Sequence, residues 1–277
     1  MGQGCRLASQ WATVNGRRMH ARVAADMPPG TGRPVVLIHG LSVSSCSLLP
    51  TARRLAAYHR VYAPDLPGFG ASEPPPETLT IHGLADTLAA WMRALHLERA
   101  ALLGHSFGCQ ILAELALRHP ACLTQAIFVA PTIEPQERTA SRQLGRLLLD
   151  ACREPPALLP LVLRDYLRAG VGRTIRTVRY ALQDAIERKL PEVRVPSLVV
   201  RGAHDPLVSQ RWAEAVARLL PRGQLVVIPG AAHAVPYSAP VELGQVIEAF
   251  LAAGPGLAPS PGVSGSAPPG EGSDSSA

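Results

Sequence analysis

The hydrophobic positions of the chain follow two patterns that alternate along most of its length. Short, almost uninterrupted apolar runs lie at residues 35–38, 60–63, 100–103, 126–129, 197–200 and 224–228. Between several of them, apolar residues recur at helical spacing, as at Leu84, Leu88, Trp91 and Leu95. Uninterrupted apolar strands are typical of parallel sheets that are covered on both faces. The alternation therefore predicts an α/β fold with helices on both faces of a mostly parallel sheet.

The beginning of the chain shows a different pattern. Apolar residues at 11–14 and 19–23 flank Asn15-Gly16, a two-residue turn signal. Asn-Gly favours the turn type that joins two strands of a hairpin. We therefore expect two antiparallel strands to open the sheet.

The strand pattern also stops between Pro131 and Pro196. Helical stretches at 139–152, 158–169 and 174–188 replace it, separated by a Pro-Pro pair and by Gly170-Val171-Gly172. Proline and glycine pairs of this kind interrupt helices. The segment is therefore predicted to be an all-helical insertion between two strands.

Composition limits the classes of partner. The chain has 277 residues, of which 47% are hydrophobic, so it can bury one large core and a modest insertion. Its net charge of +6 comes almost entirely from scattered arginines, without the basic stripe that would predict nucleic-acid binding. We find no apolar run long enough to span a membrane and expect no membrane partner. The oligomeric state is not predicted.

The five cysteines, at positions 5, 46, 109, 122 and 152, match no disulfide framework or zinc pattern. Reduced thiols in the cytoplasm are the simplest interpretation. We therefore expect a cytoplasmic protein that uses no metal or cofactor and acts on a small molecule.

The stretch Gly104-His105-Ser106-Phe107-Gly108 carries the clearest chemical signal. It joins a buried-strand pattern to a helical one, so Ser106 is expected on a sharp strand-to-helix turn. Glycines at both ends let the backbones pass closely, and the helix directs its N-terminal amides to the serine. This arrangement is typical of a nucleophile and of the oxyanion that it creates.

A serine nucleophile needs a base and an acid, and in this type of fold they follow it in the order acid, then histidine. Asp205 follows the apolar run at 197–200, and His233 follows the run at 224–228. Both are therefore predicted at the carboxyl edge of the sheet, where ligands bind in open α/β sheets. Glu134, shortly after the run at 126–129, is an alternative acid.

Taken together, these motifs resemble the α/β-hydrolase superfamily, in its branch with a serine nucleophile and a helical cap. The resemblance extends over residues 11–253 and includes His39-Gly40 after one strand and the D-x-x-G-x-G-x-S pattern of residues 65–72. It implies an α/β-hydrolase fold with a mostly parallel eight-stranded sheet and an inserted all-helical cap. The implied organisation is a flexible segment at 1–10, a core at 11–130 and 196–253, a cap at 131–195 and a disordered Gly/Pro/Ser/Ala tail at 254–277.

The resemblance also implies roles for single residues. Ser106 would attack a carbonyl carbon, His233 would take its proton, and Asp205 would orient the histidine. The backbone amides of Phe107 and, by resemblance, Leu41 would form the oxyanion hole. Substrate-pocket residues are expected among three serines after the oxyanion turn, Ser42, Ser44 and Ser45. His39 and Asp65 are interpreted as structural, and His105 as a packing residue.

Three functions remain open at this stage. The first is hydrolysis of small carboxylic esters, lactones or thioesters through an acyl-enzyme on Ser106. The second is carbon–carbon bond hydrolysis of vinylogous diketones, or a related lyase reaction. The third is a non-catalytic ligand receptor. A further hypothesis concerns the cap arginines, one of which would pair with a substrate carboxylate; the candidates are Arg142, Arg146, Arg164, Arg168 and Arg179.

Overall fold

The computed structural model describes residues 7–24 and 32–253. Most of the predicted N-terminal segment at 1–10 and all of the predicted tail at 254–277 lie outside the described residues.

The described residues form an eight-stranded sheet with the strand order β1-β2-β4-β3-β5-β6-β7-β8. The strands are β1 (Ala8–Val14), β2 (Arg17–Ala24), β3 (Pro34–Ile38), β4 (Arg60–Pro64), β5 (Ala100–His105), β6 (Leu123–Val129), β7 (Ser197–Gly202) and β8 (Gly223–Ile228). β1 and β2 form the antiparallel hairpin at one edge, and β2 is antiparallel to β4. All other neighbours are parallel. The predicted fold class, a mostly parallel α/β-hydrolase sheet, is confirmed.

Helices cover the sheet on both sides. They are α1 (Leu49–Leu55), α2 (Ile81–Ala94), α3 (Phe107–Arg118), α4 (Ala140–Ala151), α5 (Leu158–Ala169), α6 (Val171–Gln183), α7 (Ile186–Lys189), α8 (Gln210–Leu219), α9 (Val235–Ser238) and α10 (Pro240–Ala252). α2, α3 and α8 pack on one face, while α1 and α10 pack on the other. The helices α4–α7 follow β6 and precede β7.

Alternate residues of the buried strands enter different cores. In β3, Val36 and Ile38 belong to the core beneath α2 and α3, whereas Val35 and Leu37 belong to the core beneath α1 and α10. Successive side chains of a strand point to opposite faces of a sheet, and both faces here are covered. This explains why the strands are continuous apolar runs in the sequence.

The third helical stretch of the insertion differs from its predicted bounds of 174–188. α6 begins at Val171, three residues earlier than predicted. Gly170, at a φ of 79°, ends α5, whereas Gly172 lies inside α6 and does not interrupt it. The stretch then divides into α6 and α7 because Asp184 is extended, and its carboxylate pairs with Lys189. The Lys189 ammonium also contacts Glu114 of α3 at 2.7 Å, so the end of the insertion is tied to the core.

Trp91 provides a test of this packing. Its side chain is fully buried in α2 and meets Tyr62 of β4 edge-on. We expect Trp91→Ala to lower the free energy of unfolding by about 3–5 kcal/mol, because it leaves a large cavity. Leu117→Ala, at an exposed position of α3, is the control and should change it by less than about 0.5 kcal/mol in the same denaturant titration. Equal effects would contradict the assignment of Trp91 to the core.

Candidate active site

Ser106 lies on a strained turn between β5 and α3. Its backbone has a φ of 55° and a ψ of −119°, a conformation that non-glycine residues rarely adopt. A Cβ on Gly104 would lie 2.5 Å from the Gly108 carbonyl oxygen, and a Cβ on Gly108 would lie 2.5 Å from the Ile38 carbonyl oxygen. The two glycines are therefore required for the close passage of α3 over β5 and β3. This passage holds the serine at the carboxyl edge of the sheet.

The loops after β7 and β8 bring Asp205 and His233 to the same edge. These loops touch at Gly202, where an added Cβ would lie 2.1 Å from the Ala232 carbonyl oxygen. The amide of His204 also donates to the Ala231 carbonyl at 2.9 Å. Close backbone contact between the loops fixes the two residues relative to each other.

The three side chains form one hydrogen-bonded chain. Ser106 Oγ lies 2.9 Å from His233 Nε2, and His233 Nδ1 lies 2.9 Å from Asp205 Oδ2. All of these contacts are buried or partly buried. The arrangement allows His233 to take a proton from the serine at one ring nitrogen while Asp205 holds the other.

Charges around His233 raise its pKa to about 9. Burial alone would lower this pKa, but the negative charges of Asp205, Asp150 and Glu154 outweigh burial. The pKa of Asp205 is shifted in the opposite direction. Burial would raise it, yet the neighbouring His233 and the backbone amides of Leu207 and Val208 hold it below its usual range. Asp205 is therefore the ionised partner of a basic imidazole.

Arg201 holds the Asp205 loop and was missed by the sequence analysis. Its guanidinium is buried and donates to the carbonyl oxygens of Val208 at 2.6 Å, Ala203 at 3.1 Å and Asp205 at 3.1 Å. One charged side chain thus binds three carbonyls of the loop that presents the carboxylate. The signal that was available is an arginine in a buried strand pattern, where a charge needs partners.

Two carboxylates of the insertion, also missed, approach the His233 loop. Asp150, near the end of α4, accepts a hydrogen bond from the His233 amide at 3.2 Å. Glu154 accepts one from the Ala234 amide at 2.6 Å. Burial raises the pKa of both acids. The insertion therefore supplies negative charge to the site as well as covering it.

Leu41 and Phe107 lie where the sequence predicts oxyanion donors. Both line the cavity that contains Ser106, and Phe107 begins α3. Within residues 7–24 and 32–253, neither backbone amide donates a hydrogen bond to the protein. The first amides of a helix have no partner within it, which leaves the Phe107 amide without an acceptor in the described residues.

The three serines expected in the pocket do not lie on its wall. Ser42 Oγ donates to Thr174 of α6 at 3.0 Å, and Ser44 Oγ donates to Asp165 of α5 at 2.5 Å. Ser45 is fully buried, and its amide donates to Asp65. Only Ser47 among the serines of this turn lines the cavity. Ser42 has a positive φ of 56°, and the hydroxyls of Ser42 and Ser44 bond the insertion instead of lining the cavity.

Other polar residues near the site bind backbone. His39 Nε2 accepts from the Leu66 amide at 3.0 Å, and its pKa is lowered by burial. Asp65 accepts from the amides of Ser45 and Ala71. The pKa of Asp65 is about 2 because hydrogen bonds, above all from His20, outweigh its burial. These partners agree with the structural roles expected for His39 and Asp65.

His105 and Glu134 take no part in the hydrogen-bonded chain. His105 Nε2 donates to the His233 carbonyl at 3.0 Å, and burial beside His233 lowers the pKa of His105 to about 3. Glu134 lies 3.8 Å from Arg146 in an ion pair and does not contact His233. The geometry thus places Asp205, not the alternative acid, against the histidine.

A cavity of about 450 Å³ adjoins Ser106 and His233. Aliphatic side chains dominate its wall, among them Leu144, Leu147 and Leu158 from the insertion and Leu41 from the core. None of the arginines in the described ranges lines it. Arg142 and Arg146 contact Glu137 instead, at 3.7 and 3.2 Å. The hypothesis that a cap arginine faces the cleft therefore finds no support here.

The described part of the chain contains no group of three His, Cys, Asp or Glu side chains arranged to hold a metal ion. Its helices also include none that is long and apolar enough to cross a bilayer.

A serine on a strained turn between a parallel strand and a helix, with a histidine and an acid from later strands, defines the class of α/β hydrolases. This chain belongs to the alpha/beta hydrolase family, whose family model matches residues 35–246.

Similar proteins agree with this assignment. The chain is 25% identical to the putative carbamate hydrolase RutD of Yersinia enterocolitica, over 87% of this chain and 94% of the relative. It is 26% identical to the 2-(acetamidomethylene)succinate hydrolase of Mesorhizobium japonicum, over 80% and 89%. A thermophilic esterase from Thermogutta terrifontis has the same fold, with a TM-score of 0.73, 24% identity and coverage of 88% and 98%.

The glycine crossing beneath Ser106 can be tested by a single methyl group. Gly108→Ala places a Cβ against the Ile38 carbonyl, so we expect it to lower the free energy of unfolding by about 1–3 kcal/mol. Gly145→Ala in α4 is the matched control because nothing lies within 4 Å of its added Cβ. That change should raise stability by about 0.5–1 kcal/mol. Denaturant titrations of both variants measure these changes. An unchanged free energy of unfolding in Gly108→Ala would contradict the close backbone crossing.

Proposed function

We propose that this protein is a serine hydrolase of small carboxylic esters, lactones or thioesters with apolar acyl groups. The observation that carries the proposal is the hydrogen-bonded chain from Ser106 through His233 to Asp205. Ser106 and His233 adjoin an apolar cavity, beside two backbone amides that have no acceptor in the described residues. No step of the proposed reaction needs a metal or cofactor.

The reaction proceeds in two halves. Ser106 Oγ attacks the carbonyl carbon while His233 Nε2 takes the hydroxyl proton, and the amides of Leu41 and Phe107 stabilise the oxyanion. The tetrahedral intermediate collapses as His233 returns the proton to the leaving alcohol or thiol. Water then attacks the acyl-enzyme with His233 as base, which releases the acid and restores the serine. Asp205 holds the imidazole in the required tautomer throughout both halves.

The cavity wall favours uncharged, aliphatic substrates. Its lining is mainly leucine, isoleucine, valine and alanine, and its acidic member, Asp150, would repel an anion. The Mesorhizobium relative is named for a succinate, a dicarboxylate, whose recognition calls for cationic groups. Because the wall lacks an arginine in the described ranges, we propose a different substrate class for this chain.

Carbon–carbon bond hydrolysis of vinylogous diketones, or a related lyase reaction, uses a similar fold and remains the alternative. None of the three serines that kept a polar pocket open as a possibility lines the cavity: the Ser42 and Ser44 hydroxyls bond the insertion, and Ser45 is fully buried. That observation favours ester chemistry. A non-catalytic receptor is the least supported alternative, because a binding protein has no need of the complete hydrogen-bonded chain.

Ser106→Ala tests the proposed nucleophile. We expect the wild type to hydrolyse p-nitrophenyl butyrate and to react with a fluorophosphonate, and the variant to lose labelling and on the order of 10⁴-fold or more in kcat. Asp205→Asn should cost about 10⁴-fold because it removes the carboxylate that orients His233. Glu134→Gln is the matched control and should leave kcat unchanged.

The outcomes separate the three functions. Labelling without ester turnover would favour the carbon–carbon hydrolase. Neither labelling nor turnover would favour the receptor and contradict the proposed function. A loss in Glu134→Gln equal to that in Asp205→Asn would reject Asp205 as the acid.

The raised pKa of His233 predicts a pH dependence. The imidazole must be neutral to accept the serine proton, so kcat/KM should rise with pH and reach half of its maximum near the pKa of His233, about 9. Asp150→Asn removes a charge that raises this pKa and should move the half-maximum to lower pH. Glu137→Gln, a carboxylate of the insertion that pairs with Arg146, is the control and should leave the profile in place. An unmoved profile in Asp150→Asn would reject its electrostatic role.

A further inference from the structure

The exposed hydrophobic side chains of this protein are concentrated on the helical insertion. Nine of the thirteen large hydrophobic side chains exposed in the described residues belong to α4, α5 and α6. We call these nine the apolar cap surface: Leu144, Leu147, Leu148, Leu149, Leu159, Leu163, Leu167, Val171 and Ile175. Soluble monomers rarely expose apolar groups in such numbers on one region, and doing so marks an interaction site.

The apolar residues form rows along the helix surface. In α5, Leu159, Leu163 and Leu167 are four residues apart and therefore lie along one side of the helix. Leu167 is 72% exposed, and Val171 at the start of α6 is 75% exposed. A row of side chains that faced the core would be buried. The exposure of this row therefore shows that this side of α5 points away from the core.

Arginines accompany these rows, and acids do not. α4, α5 and α6 together contain seven arginines, at positions 142, 146, 164, 168, 173, 176 and 179. Their two acids, Asp150 and Asp165, are both buried. In the described part of the chain, no carboxylate lies within ion-pair distance of Arg168, Arg176 or Arg179. A shallow groove on α5 brings both kinds together, with Leu163 and Leu167 beside Arg164 and Arg168.

The apolar cap surface is continuous with the cavity. Leu144 and Leu147 line the cavity and are also 57% and 41% exposed. Leu158 and Val162 of α5 line the same cavity. The apolar wall above Ser106 therefore passes directly onto the outer surface of the insertion.

We propose that the apolar cap surface docks on an anionic lipid bilayer. Leucines flanked by arginines, without exposed acids, match an interface in which apolar groups enter the acyl region and cations meet lipid phosphates. A second copy of the chain is a less suitable partner for this surface. Its unpaired arginines would lie against those of the first copy, and the like charges would repel each other. The docking is peripheral and needs no spanning helix, so it departs from the expectation of no membrane partner, which rested on the lack of a spanning segment. It does not depend on the proposed hydrolase function.

Flotation with lipid vesicles tests the docking. Full-length protein carrying Ser106→Ala, so that no lipid is cleaved, is mixed with vesicles of phosphatidylcholine alone or with phosphatidylglycerol. We expect binding to the mixed vesicles and little to phosphatidylcholine alone. Arg168→Gln/Arg176→Gln/Arg179→Gln should lower the partition coefficient by about 100-fold. Leu163→Ser/Leu167→Ser should lower it by roughly 10-fold or more.

Matched variants on the core serve as controls. Arg53→Gln/Arg211→Gln/Arg218→Gln removes the same charge, and Leu117→Ser/Val241→Ser changes exposed apolar residues outside the insertion. Both should bind like the parent. Equal losses in the core and cap variants, or absence of flotation of the Ser106→Ala parent, would overturn the proposal. So would light scattering that shows a dimer broken by Leu163→Ser/Leu167→Ser without vesicle binding. Hydrolysis of the soluble ester by each variant with Ser106 restored reports separately on the proposed function.

Discussion

The site depends on one backbone crossing, where α3 passes over β5 and β3 at the distance that only glycine permits. A side chain at Gly104 or Gly108 would collide with backbone carbonyls, so the crossing sets the position of the helix. Helix position in turn fixes the strained backbone of Ser106 and the direction of the Phe107 amide. The energetic cost of one unfavourable φ is offset by packing in a fully buried strand and in the first ten residues of α3, which are also buried. A strained residue of this kind persists because its surroundings leave it no other conformation.

Near this crossing, nearby charges oppose the effect of burial on the pKa of His233. Burial alone would make His233 a weak base, as it does for His105 a short distance away. The difference lies in the neighbours, because three carboxylates surround His233 whereas His105 donates to a neutral carbonyl. Arg201 supports this arrangement through the backbone. It binds the carbonyls of the Asp205 loop and so leaves that carboxylate free to face the histidine.

The sequence predicted those parts of the site that depend on chain order. Ser106, Asp205 and His233 each follow a strand, and parallel strands end at one edge, so their proximity follows from topology. Side-chain direction was less predictable. Ser42, Ser44 and Ser45 are next to the oxyanion turn in sequence, yet their hydroxyls or amides bond other segments because the turn reverses there. Asp150 was missed because its partner, the His233 amide, is 83 residues away in the sequence. The carbonyl partners of Arg201 lie within seven residues of it, but the sequence does not show that the loop folds back onto the guanidinium.

The insertion links the outer surface of the molecule to the proton affinity of the site. Asp150 bonds the His233 amide from the same helix, α4, that presents Leu144 and Leu147 at the surface. Asp150 is the only residue of α4 that is buried, so little packing holds this helix against the rest of the protein. A displacement of this helix would carry Asp150 away from His233 and lower the pKa of the imidazole, because one of the charges that raise it would be lost. A contact at the apolar cap surface that moved α4 would therefore also change the basicity of His233.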